Sequence, residues 1–380
     1  MSAEKVILLL GRRDEPTDGV ADYCEKLREA GLSQGLSFES VALPWAESGW
    51  RVALAELRKA AAGWRGRWVL LQYTTLAWSR HGFPLRAPQV LEVLRRSGAR
   101  PGLVFHDFAP LSGTGIVGNA REYCQLRVLR RLFARSDLGI FTVPMNQTSW
   151  LPAHRDKAIF IPVGPNCPEA IPANLEVSSN AKTVAVYSIT GGNRTLAEVA
   201  DIDAALRRAS EAVGTVRLLL FGRGSQEAEP LLQSALAGAN VTIESLGLLT
   251  PEQISQTLSR ADVLLFVRGH ISTRRGSAIA GIACGLPVVC YSGPETSWPI
   301  TEAGLVSVPL GNRQALAGAL ANVLSDATFR RTLAERSRQA QKKYFSWAAI
   351  AAQFAYALGA APAGAQPDAA GKIPDAMRVA

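Results

Sequence analysis

Short apolar runs alternate with helical patterns along both halves of the chain. The run KVILLLG at residues 5–11 precedes VADYCEKLREAG at residues 20–31, where Tyr23, Leu27 and Ala30 recur at helical spacing. Further apolar runs follow in the first half, again with helical patterns between them: LSFESVALP, WVLLQY, GLVFHD, LGIFTV and KAIFIP. This alternation predicts a parallel sheet that is covered by helices on both faces.

The alternation stops at residues 162–181, a stretch rich in Pro, Asn and Ser, and then begins again. The second half contains the runs TVAVYSITGG, VRLLLFGRGS, NVTIESLGLL and DVLLFV, and Thr250 and Gln253 form a capping box at the start of TPEQISQTLSRA. The sequence therefore predicts two Rossmann-like α/β domains that face each other across a cleft, at residues 1–165 and 166–345. A C-terminal helix at 346–358 and a disordered tail at 359–380 complete the predicted organisation.

The chain of 380 residues is basic, with a formal net charge of +9. This charge suits nucleic acid, an anionic membrane surface or a phosphorylated substrate. No block of five Lys or Arg residues occurs and no RNA-binding aromatic signature is found, so we do not expect a nucleic-acid partner. The first 150 residues carry 20 Lys and Arg against 14 Asp and Glu.

Cysteine spacing and hydropathy indicate a cytoplasmic protein. The five cysteines include no CxxC pair, which indicates free thiols in a reducing compartment. The N-terminal residues lack a signal-peptide pattern, and no apolar run approaches the roughly 20 residues of a membrane span. The basic stretch RVLRRLFAR at residues 127–135 places Leu129, Leu132 and Phe133 beside arginines, which is compatible with peripheral contact at the inner face of a membrane. The alternative is a solvated helix over a core.

Two glycine turns follow predicted strands of the second half, and each carries an arginine. They are ITGGNRT, with Gly192, Asn193 and Arg194, and FGRGS, with Gly222, Arg223 and Gly224. Arginine matches phosphate oxygens in a bidentate way, so the pair of turns predicts an anion site. Glu227 stands where a dinucleotide-binding fingerprint would need its third glycine, which argues against a nicotinamide or flavin dehydrogenase.

The stretch HISTRRGSAIAGIACGLPVVCYSG at residues 270–293 places basic residues before an uncharged helix. Arg274, Arg275, Gly276 and Ser277 lie at the predicted helix start, where backbone N–H groups and the helix dipole favour an anion. After the first strand, Asp18 and Gly19 have a similar position. Here an ordinary helix cap is the alternative.

Two regions of the first half are candidates for acceptor chemistry. His106 stands at the end of GLVFHD, where a side chain is placed to donate, accept or transfer a proton. The alternative for His106 is a histidine whose hydrogen bonds are satisfied by the neighbouring backbone. The loop QYTTLAWSRHGFP at residues 72–84 contains Tyr73, Trp78 and Arg80, which are suited to stacking on a sugar or binding a lipid phosphate. The alternative for this loop is packing. No P-loop, HExxH, EF-hand, GxSxG or kinase signature is present, and no carboxylate cluster indicates a metal.

These motifs, in this order, resemble the GT-B glycosyltransferases, most closely the family-four group. The resemblance rests on DGVADYCEKL, LVFHD, LFGRGS, LGLLTPEQISQTLSRADVLLFV, GSAIAGIACGLPVVCYSG and YFSWAAIAAQF. It implies an acceptor-binding N-terminal domain with His106 as a catalytic residue, and a C-terminal domain that binds a nucleoside-diphosphate sugar, including contact by Leu248. It also implies that the last helix returns to the first domain. The implied reaction is glycosyl transfer with retention, without an essential metal or other cofactor.

The chain departs from that family's pattern at two places. The usual diphosphate-binding lysine has no clear counterpart, and Arg274 or Arg275 are its candidate substitutes. The paired glutamates of the family should fall near Ser272 and Ala280, and neither position is acidic. The leading hypothesis is a sugar transferase whose acceptor is a bacterial glycan, a glycolipid or other lipid-linked sugar, or a small molecule. The alternatives are a non-catalytic nucleotide-sugar-binding or scaffold protein of the same fold, and a sugar-nucleotide epimerase.

Overall fold

The computed structural model describes residues 3–14, 18–111, 113, 115–152, 156–168 and 181–360. The chain divides into two compact units. Unit 1 comprises Met1–Pro162 together with Trp347–Ala380, and unit 2 comprises Val163–Ser346. Most of the Pro-rich stretch at residues 162–181, and nearly all of the tail predicted at 359–380, lie outside the described residues.

Unit 1 is built on a six-stranded parallel sheet with the order β2-β1-β3-β4-β5-β6. Its strands are β1 Glu4–Leu10, β2 Leu36–Ala42, β3 Trp68–Tyr73, β4 Arg100–Phe105, β5 Leu138–Phe141 and β6 Ala158–Phe160. The central strands are apolar almost throughout, because helices cover both faces of the sheet.

The helices of unit 1 come from both ends of the chain. The N-terminal ones are α1 Gly19–Gly31, α2 Trp45–Ser48, α3 Trp50–Ala61, α4 Ala87–Arg96 and α5 Gly115–Arg135. The last helix of the chain, Trp347–Leu358, packs against α1, where the Trp347 and Tyr23 rings lie 5.3 Å apart. Trp68 Nε1 donates to the Leu358 carbonyl oxygen at 3.1 Å, so the C-terminal helix is part of the unit 1 core.

Unit 2 repeats the architecture with a second parallel sheet of order β12-β11-β10-β7-β8-β9. Its strands are β7 Lys182–Tyr187, β8 Val216–Phe221, β9 Val241–Gly247, β10 Val263–His270, β11 Val288–Ser292 and β12 Leu305–Pro309. Its helices are α6 Thr195–Val213, α7 Ser225–Ala235, α8 Pro251–Ser259, α9 Gly276–Ala283, α10 Arg313–Ser325 and α11 Ala327–Ala340, and the helix in unit 1 at Trp347–Leu358 is α12.

These two parallel α/β sheets confirm the predicted fold class, and several local predictions are confirmed with them. Thr250 Oγ1 accepts from Gln253 N at 3.3 Å, and Gln253 Oε1 accepts from Thr250 N at 2.9 Å, which completes the capping box of α8. The cysteines of the described residues are free thiols. None of the helices in the described parts of the chain has the length and apolar character that crossing a membrane requires.

The apolar side chains of the basic stretch at residues 127–135 face inward. Leu129, Leu132 and Phe133 in α5 are buried in the unit 1 core, so they cannot form the lipid-contacting face that the sequence suggested. At this stretch, the alternative interpretation of a helix covering a core is the one the structure supports.

Candidate functional site

Arginines gather at one edge of the unit 2 sheet. Because the strands are parallel, the segments that follow β7, β8 and β10 leave the sheet at the same edge, which is where α/β sheets bind ligands. Arg194 lies in a short turn after β7, Arg223 follows β8, and Arg274 and Arg275 follow β10. Arg268, within the last residues of β10, joins this edge although the sequence analysis did not select it.

The charges of these arginines influence one another. Burial, together with the nearby positive charges of Arg274, Arg268 and Arg194, lowers the pKa of Arg275 to about 10, against the opposing effect of Glu295. Burial likewise lowers the pKa of Arg268, with Arg223 adding to the effect. Arg194, Arg223, Arg268 and Arg275, which we call the arginine cluster, thus form a crowded site of positive charge that an anion would stabilise.

Arg275 shows the clearest sign of a missing anionic partner. Its Nε is buried and donates to no acceptor within the part of the chain that the structure describes. A buried guanidinium normally finds a carboxylate, a carbonyl or a ligand, because an unmet buried donor is costly. Gly276 and Ser277 follow it directly at the start of α9, and a side chain on Gly276 would point into open space. An anion at Arg275 would therefore also meet the N-terminus of α9.

Arg274 differs from its neighbour because it already has a carboxylate partner. Its Nε and Nη2 donate to the two Glu295 carboxylate oxygens at 2.8 and 3.0 Å in a bidentate pair. Burial raises the pKa of Glu295, but the hydrogen bonds and charge of Arg274, helped by His270 and Arg275, outweigh it and bring the pKa to about 2. The guanidinium of Arg274 is thus occupied, which leaves Arg275 as the candidate for an anion contact among the two adjacent arginines.

Glu295 is a carboxylate that the sequence analysis did not find. It follows β11, and its Oε1 lies 3.4 Å from His270 Nε2 at the end of β10. The helix α9 is uncharged, as the sequence indicated, and Ala280 on it is fully buried. An acid reaches this edge from a different element, 21 positions after Arg274 in the chain.

Glu198 is a second acidic residue of this edge that the sequence analysis missed. It lies in the first turn of α6, is buried, and accepts a hydrogen bond from Thr190 N at 2.8 Å. Burial raises its pKa, and the charges of Arg268 and Arg194 oppose that rise. Glu198 therefore anchors the glycine turn after β7 and faces the arginine cluster.

The glycines of the two turns serve different purposes. Gly222 and Gly224 have φ values of 87° and 72°, and a Cβ on either would lie 2.5 Å from a neighbouring atom. They are needed for the packing of the turn after β8. Gly192 also has a positive φ, of 72°, but its missing Cβ would lie in open space, and Asn193 beside it is exposed. Leu248, one residue beyond β9, is 52% exposed at the same edge.

In unit 1, His106 lies at the carboxyl end of β4 as a neutral hydrogen-bonding group. Its Nε2 lies 2.9 Å from Gln72 Oε1, while Gln72 Nε2 donates to the Leu70 carbonyl oxygen at 3.3 Å. The amide oxygen therefore accepts the Nε2 proton, and Nδ1 is left unprotonated. Burial lowers the pKa of His106 to about 4, and the Tyr23 ring packs edge-on at 5.0 Å.

The structure corrects two residues predicted for acceptor contact. Tyr73 and Trp78 are 0% and 1% exposed, so neither ring is available for stacking on a sugar. Tyr73 ends β3 inside the core, and Trp78 Nε1 donates to the Gln72 carbonyl oxygen at 2.8 Å. Arg80 remains exposed and donates to the Ala46 carbonyl oxygen. For the two aromatic residues, the packing alternative is the one the structure supports.

Asp18 and Gly19 form the start of α1. Asp18 Oδ1 accepts from Val20 N at 2.9 Å and from Ala21 N at 3.2 Å, which is an ordinary N-cap. Gly19 is exposed, and a Cβ there would meet nothing within 4 Å. Glycine is therefore not required here by packing.

Comparison with known proteins agrees with the geometry of unit 2. Residues 193–326 match the family model described as glycosyl transferases group 1. The matched segment contains all four residues of the arginine cluster, and it also contains Arg274 and Glu295. No curated protein sequence matches the chain.

Solved structures share the fold over nearly the whole chain. Anabaena Alr3699/HepE, in complex with UDP and glucose, is 17% identical, with 94% of this chain and 99% of that one covered and a TM-score of 0.61. Sucrose-phosphate synthase from Thermosynechococcus elongatus is 19% identical, covers 93% and 98%, and has a TM-score of 0.65. A glycosyltransferase from Rickettsia africae is 13% identical, covers 94% and 98%, and has a TM-score of 0.64.

The fold is therefore that of the GT-B glycosyltransferases, as the sequence predicted. Within it, the chain carries a group 1 glycosyl transferase domain, and the predicted enzyme class, a glycosyltransferase, is confirmed at that level. The narrower assignment to the family-four group stays a prediction.

Proposed function

We propose that this glycosyltransferase moves a sugar from a nucleoside-diphosphate-sugar donor, bound by unit 2, to a glycan, glycolipid or lipid-linked acceptor. The observation that supports this most directly is the arginine cluster, with the buried and unpartnered Nε of Arg275, at the carboxyl edge of the sheet. A diphosphate offers the charge and the oxygen geometry that guanidinium groups bind in a bidentate way.

The same residues are suited to stabilising the diphosphate as it leaves the sugar. When the bond between the sugar and the diphosphate breaks, the leaving oxygen gains negative charge, and fixed positive groups stabilise it more than they stabilise the intact donor. Arg275, the other members of the cluster and the N-terminus of α9 supply such groups. We propose that no metal is required, since the positive charge comes from the chain itself.

The neutral His106 suggests a hydrogen-bonding role in unit 1. With a pKa of about 4 it carries no charge at neutral pH, and its unprotonated Nδ1 can accept a hydrogen bond from a sugar hydroxyl. We propose that it orients a hydroxyl group and does not act as a general acid. Retention at the anomeric centre, implied by the family resemblance, remains part of the proposal and is tested by the anomeric configuration of the product.

UDP is the first nucleotide to test, because HepE structures of this fold contain UDP or UDP-glucose. The full chain would be screened by thermal shift and calorimetry against UDP, GDP, ADP and their sugars, followed by assays for nucleotide release. We expect one nucleotide series to raise Tm and one sugar to be transferred, with no loss of rate in a metal chelator. No Tm shift with any nucleotide at millimolar concentration would contradict the proposal.

A second candidate is a non-catalytic nucleotide-sugar-binding protein. The buried Ala280 favours it, since the uncharged α9 offers the donor sugar no carboxylate. Glu295 weighs against it by bringing an acid to the same edge. This candidate predicts donor binding without turnover. Turnover of the donor that is reduced in His106→Ala would exclude it.

A further inference from the structure

Gln72 is a buried polar residue inside an otherwise apolar strand. It lies in β3, in the run WVLLQY, and is 1% exposed. A buried amide is costly unless its oxygen and its NH2 group both find partners, so a glutamine at this position needs a physical explanation. Gln72 belongs to unit 1, and the anion chemistry of unit 2 therefore does not explain it.

Both ends of the Gln72 amide are bonded. Nε2 donates to the Leu70 carbonyl oxygen at 3.3 Å, and Oε1 lies 2.9 Å from His106 Nε2. The bond to Leu70 fixes the orientation of the amide. If the amide were reversed, its oxygen would face the Leu70 carbonyl oxygen, and two acceptors repel each other. The amide oxygen is therefore the atom that faces His106.

The pairing of β3 with β4 brings the two side chains together. Gln72 lies beside Val104 in the parallel register, and His106 comes two positions after Val104. Side chains two positions apart lie on the same face of a strand, so Gln72 and His106 share one face of the sheet. His106 N also donates to the Tyr73 carbonyl oxygen at 3.0 Å, which continues the ladder past the end of β4. The backbone thus sets the contact between the two side chains.

The imidazole ring of His106 is also held from a second side. The Tyr23 ring meets it edge-on at an angle of 82°, and Trp347 packs against Tyr23 in turn. Tyr23 is neutral, because burial raises its pKa well above the usual range. The carboxylate of Asp107, the next residue, accepts from Thr75 N at 2.8 Å. Burial, and not a neighbouring charge, is the cause of the low pKa of His106.

These contacts decide what the second nitrogen of the His106 ring can do. An amide oxygen can only accept, so a neutral His106 carries its proton on Nε2. Nδ1 then has a lone pair and no proton, and it can accept a hydrogen bond but cannot donate one. His106 is partly exposed at the carboxyl end of β4, where a ligand can reach its ring. A hydroxyl group matches such an acceptor, whereas a carbonyl or carboxylate oxygen does not.

We propose that Gln72 is a positioning residue that holds His106 in the Nε2–H tautomer and so makes Nδ1 an acceptor that selects a hydroxyl group. Gln72 is buried and touches no substrate in this role, so it acts through His106 alone. That the selected hydroxyl belongs to a sugar rests on the proposed function. The tautomer does not rest on it, and it can be measured in the protein without any ligand.

The test is nitrogen-15 NMR of the full chain, labelled at histidine, at neutral pH and without nucleotide. The two ring nitrogens are distinguished by their couplings to the ring protons, and a bare nitrogen resonates far downfield of a protonated one. The chain has 4 histidines, and the signal that is lost in His106→Asn identifies His106. The spectra therefore show directly which nitrogen of His106 carries the proton.

Three variants are compared with the wild type. Gln72→Met removes the amide and keeps the length of the side chain. The matched control is Gln125→Met. Gln125 is also a fully buried glutamine of unit 1, and its amide accepts from Leu111 N and donates to the Gly82 carbonyl oxygen, both at 2.7 Å. Gln72→Glu keeps an acceptor beside His106 and adds a charge, and it provides the measurement if Gln72→Met does not fold.

We expect a protonated Nε2 and a bare Nδ1 on His106 in the wild type and in Gln125→Met. In Gln72→Met the buried Nε2–H would lack its acceptor, so the ratio of the Nδ1–H form to the Nε2–H form should rise at least about tenfold. Gln72→Glu should keep the tautomer and raise the pKa of His106 from about 4 toward its ordinary value of 6.5, because a carboxylate favours the imidazolium.

Release of UDP from UDP-glucose tests the link to the reaction. Gln72→Met should lower kcat/KM by roughly tenfold. Because Gln72 acts through His106, adding Gln72→Met to His106→Ala should cause no further loss, whereas two independent structural effects would multiply. If the wild type releases no UDP, the proposed function fails for this donor, and the spectra still decide the tautomer.

Three results would overturn the proposal. A proton on His106 Nδ1 in the wild type would show that the amide oxygen of Gln72 does not set the tautomer. An unchanged tautomer ratio in Gln72→Met, or an unchanged pKa of His106 in Gln72→Glu, would show that Gln72 does not act on the ring. Equal changes at His106 in Gln125→Met would reduce the role of Gln72 to packing within unit 1.

Discussion

Replacing Arg275 by glutamine should stabilise the nucleotide-free protein and weaken nucleotide binding at the same time. The partly buried guanidinium is held near other positive charges, and its pKa falls from the usual value to about 10. At about 1.4 kcal/mol per pKa unit, this corresponds to roughly 3 kcal/mol of unfavourable free energy in the folded state. Glutamine removes the charge but keeps a polar group that is partly buried, so we expect a net gain of about 1–2 kcal/mol.

The effect on binding has the opposite sign. A hydrogen bond between charged groups contributes about 1.5–3 kcal/mol, so loss of the Arg275 contact should raise the Kd for UDP roughly 10- to 100-fold. The increase in stability corresponds to a rise in Tm of about 2–8 °C for a unit of this size. Differential scanning calorimetry of the free protein and titration calorimetry with UDP measure the two effects separately.

The matched control is Arg208→Gln, which removes an exposed arginine of the same unit. Arg208 is 61% exposed and pairs with Glu211 on α6, so both Tm and Kd should stay close to wild type. If Arg275→Gln lowered the Tm and left the Kd unchanged, Arg275 would be a structural residue and the assignment of the anion site would be wrong.

Other substitutions test the remaining geometry. Glu295→Gln should lower the free energy of unfolding by about 1–3 kcal/mol, and a double-mutant cycle with Arg274→Gln in urea should give a coupling of at least about 1 kcal/mol; additive effects would show that the bidentate pair is absent in solution. In the unfolded state, His106 takes up a proton as the pH falls through its ordinary pKa of 6.5. In the folded state, where its pKa is about 4, it takes up the proton only near pH 4. Stability should therefore decline as pH falls from 6.5 to 4, and His106→Asn should flatten that decline in urea titrations; identical slopes would refute the neutral assignment. Gly222→Ala should cost about 2–4 kcal/mol, because φ is 87° and the new Cβ would lie 2.5 Å from Ser188 Oγ, whereas Gly276→Ala, with open space around it, should change the stability by less than about 1 kcal/mol.

The strands could be predicted from the sequence because buried parallel strands are continuous apolar runs. The run VRLLLF became β8, and the glycine and arginine that follow it lie at the carboxyl edge, as the pattern indicated. The capping box at Thr250 could also be predicted, because it depends only on residues three positions apart in the sequence. The two units, each with one sheet, follow from the same local patterns.

The composition of the site depended on tertiary packing that no local pattern records. Arg268 belongs to β10 itself, beyond the apolar run that defined the predicted strand, and Glu295 reaches Arg274 from the segment after β11. Tyr73 and Trp78 had the composition of a binding loop, but only the folded unit shows that the core buries them. The sequence of α5 shows one apolar and one basic side, but only the folded unit shows that the sheet covers the side with Leu129, Leu132 and Phe133.

The most direct test of the proposed donor site is a crystal structure of the full chain with UDP bound. We expect diphosphate oxygens within hydrogen-bonding distance of the Arg275 guanidinium and of the backbone N–H groups at Gly276 and Ser277, with the Arg274–Glu295 pair intact. A diphosphate bound away from the carboxyl edge of the unit 2 sheet, or held by Arg274 after release from Glu295, would contradict it.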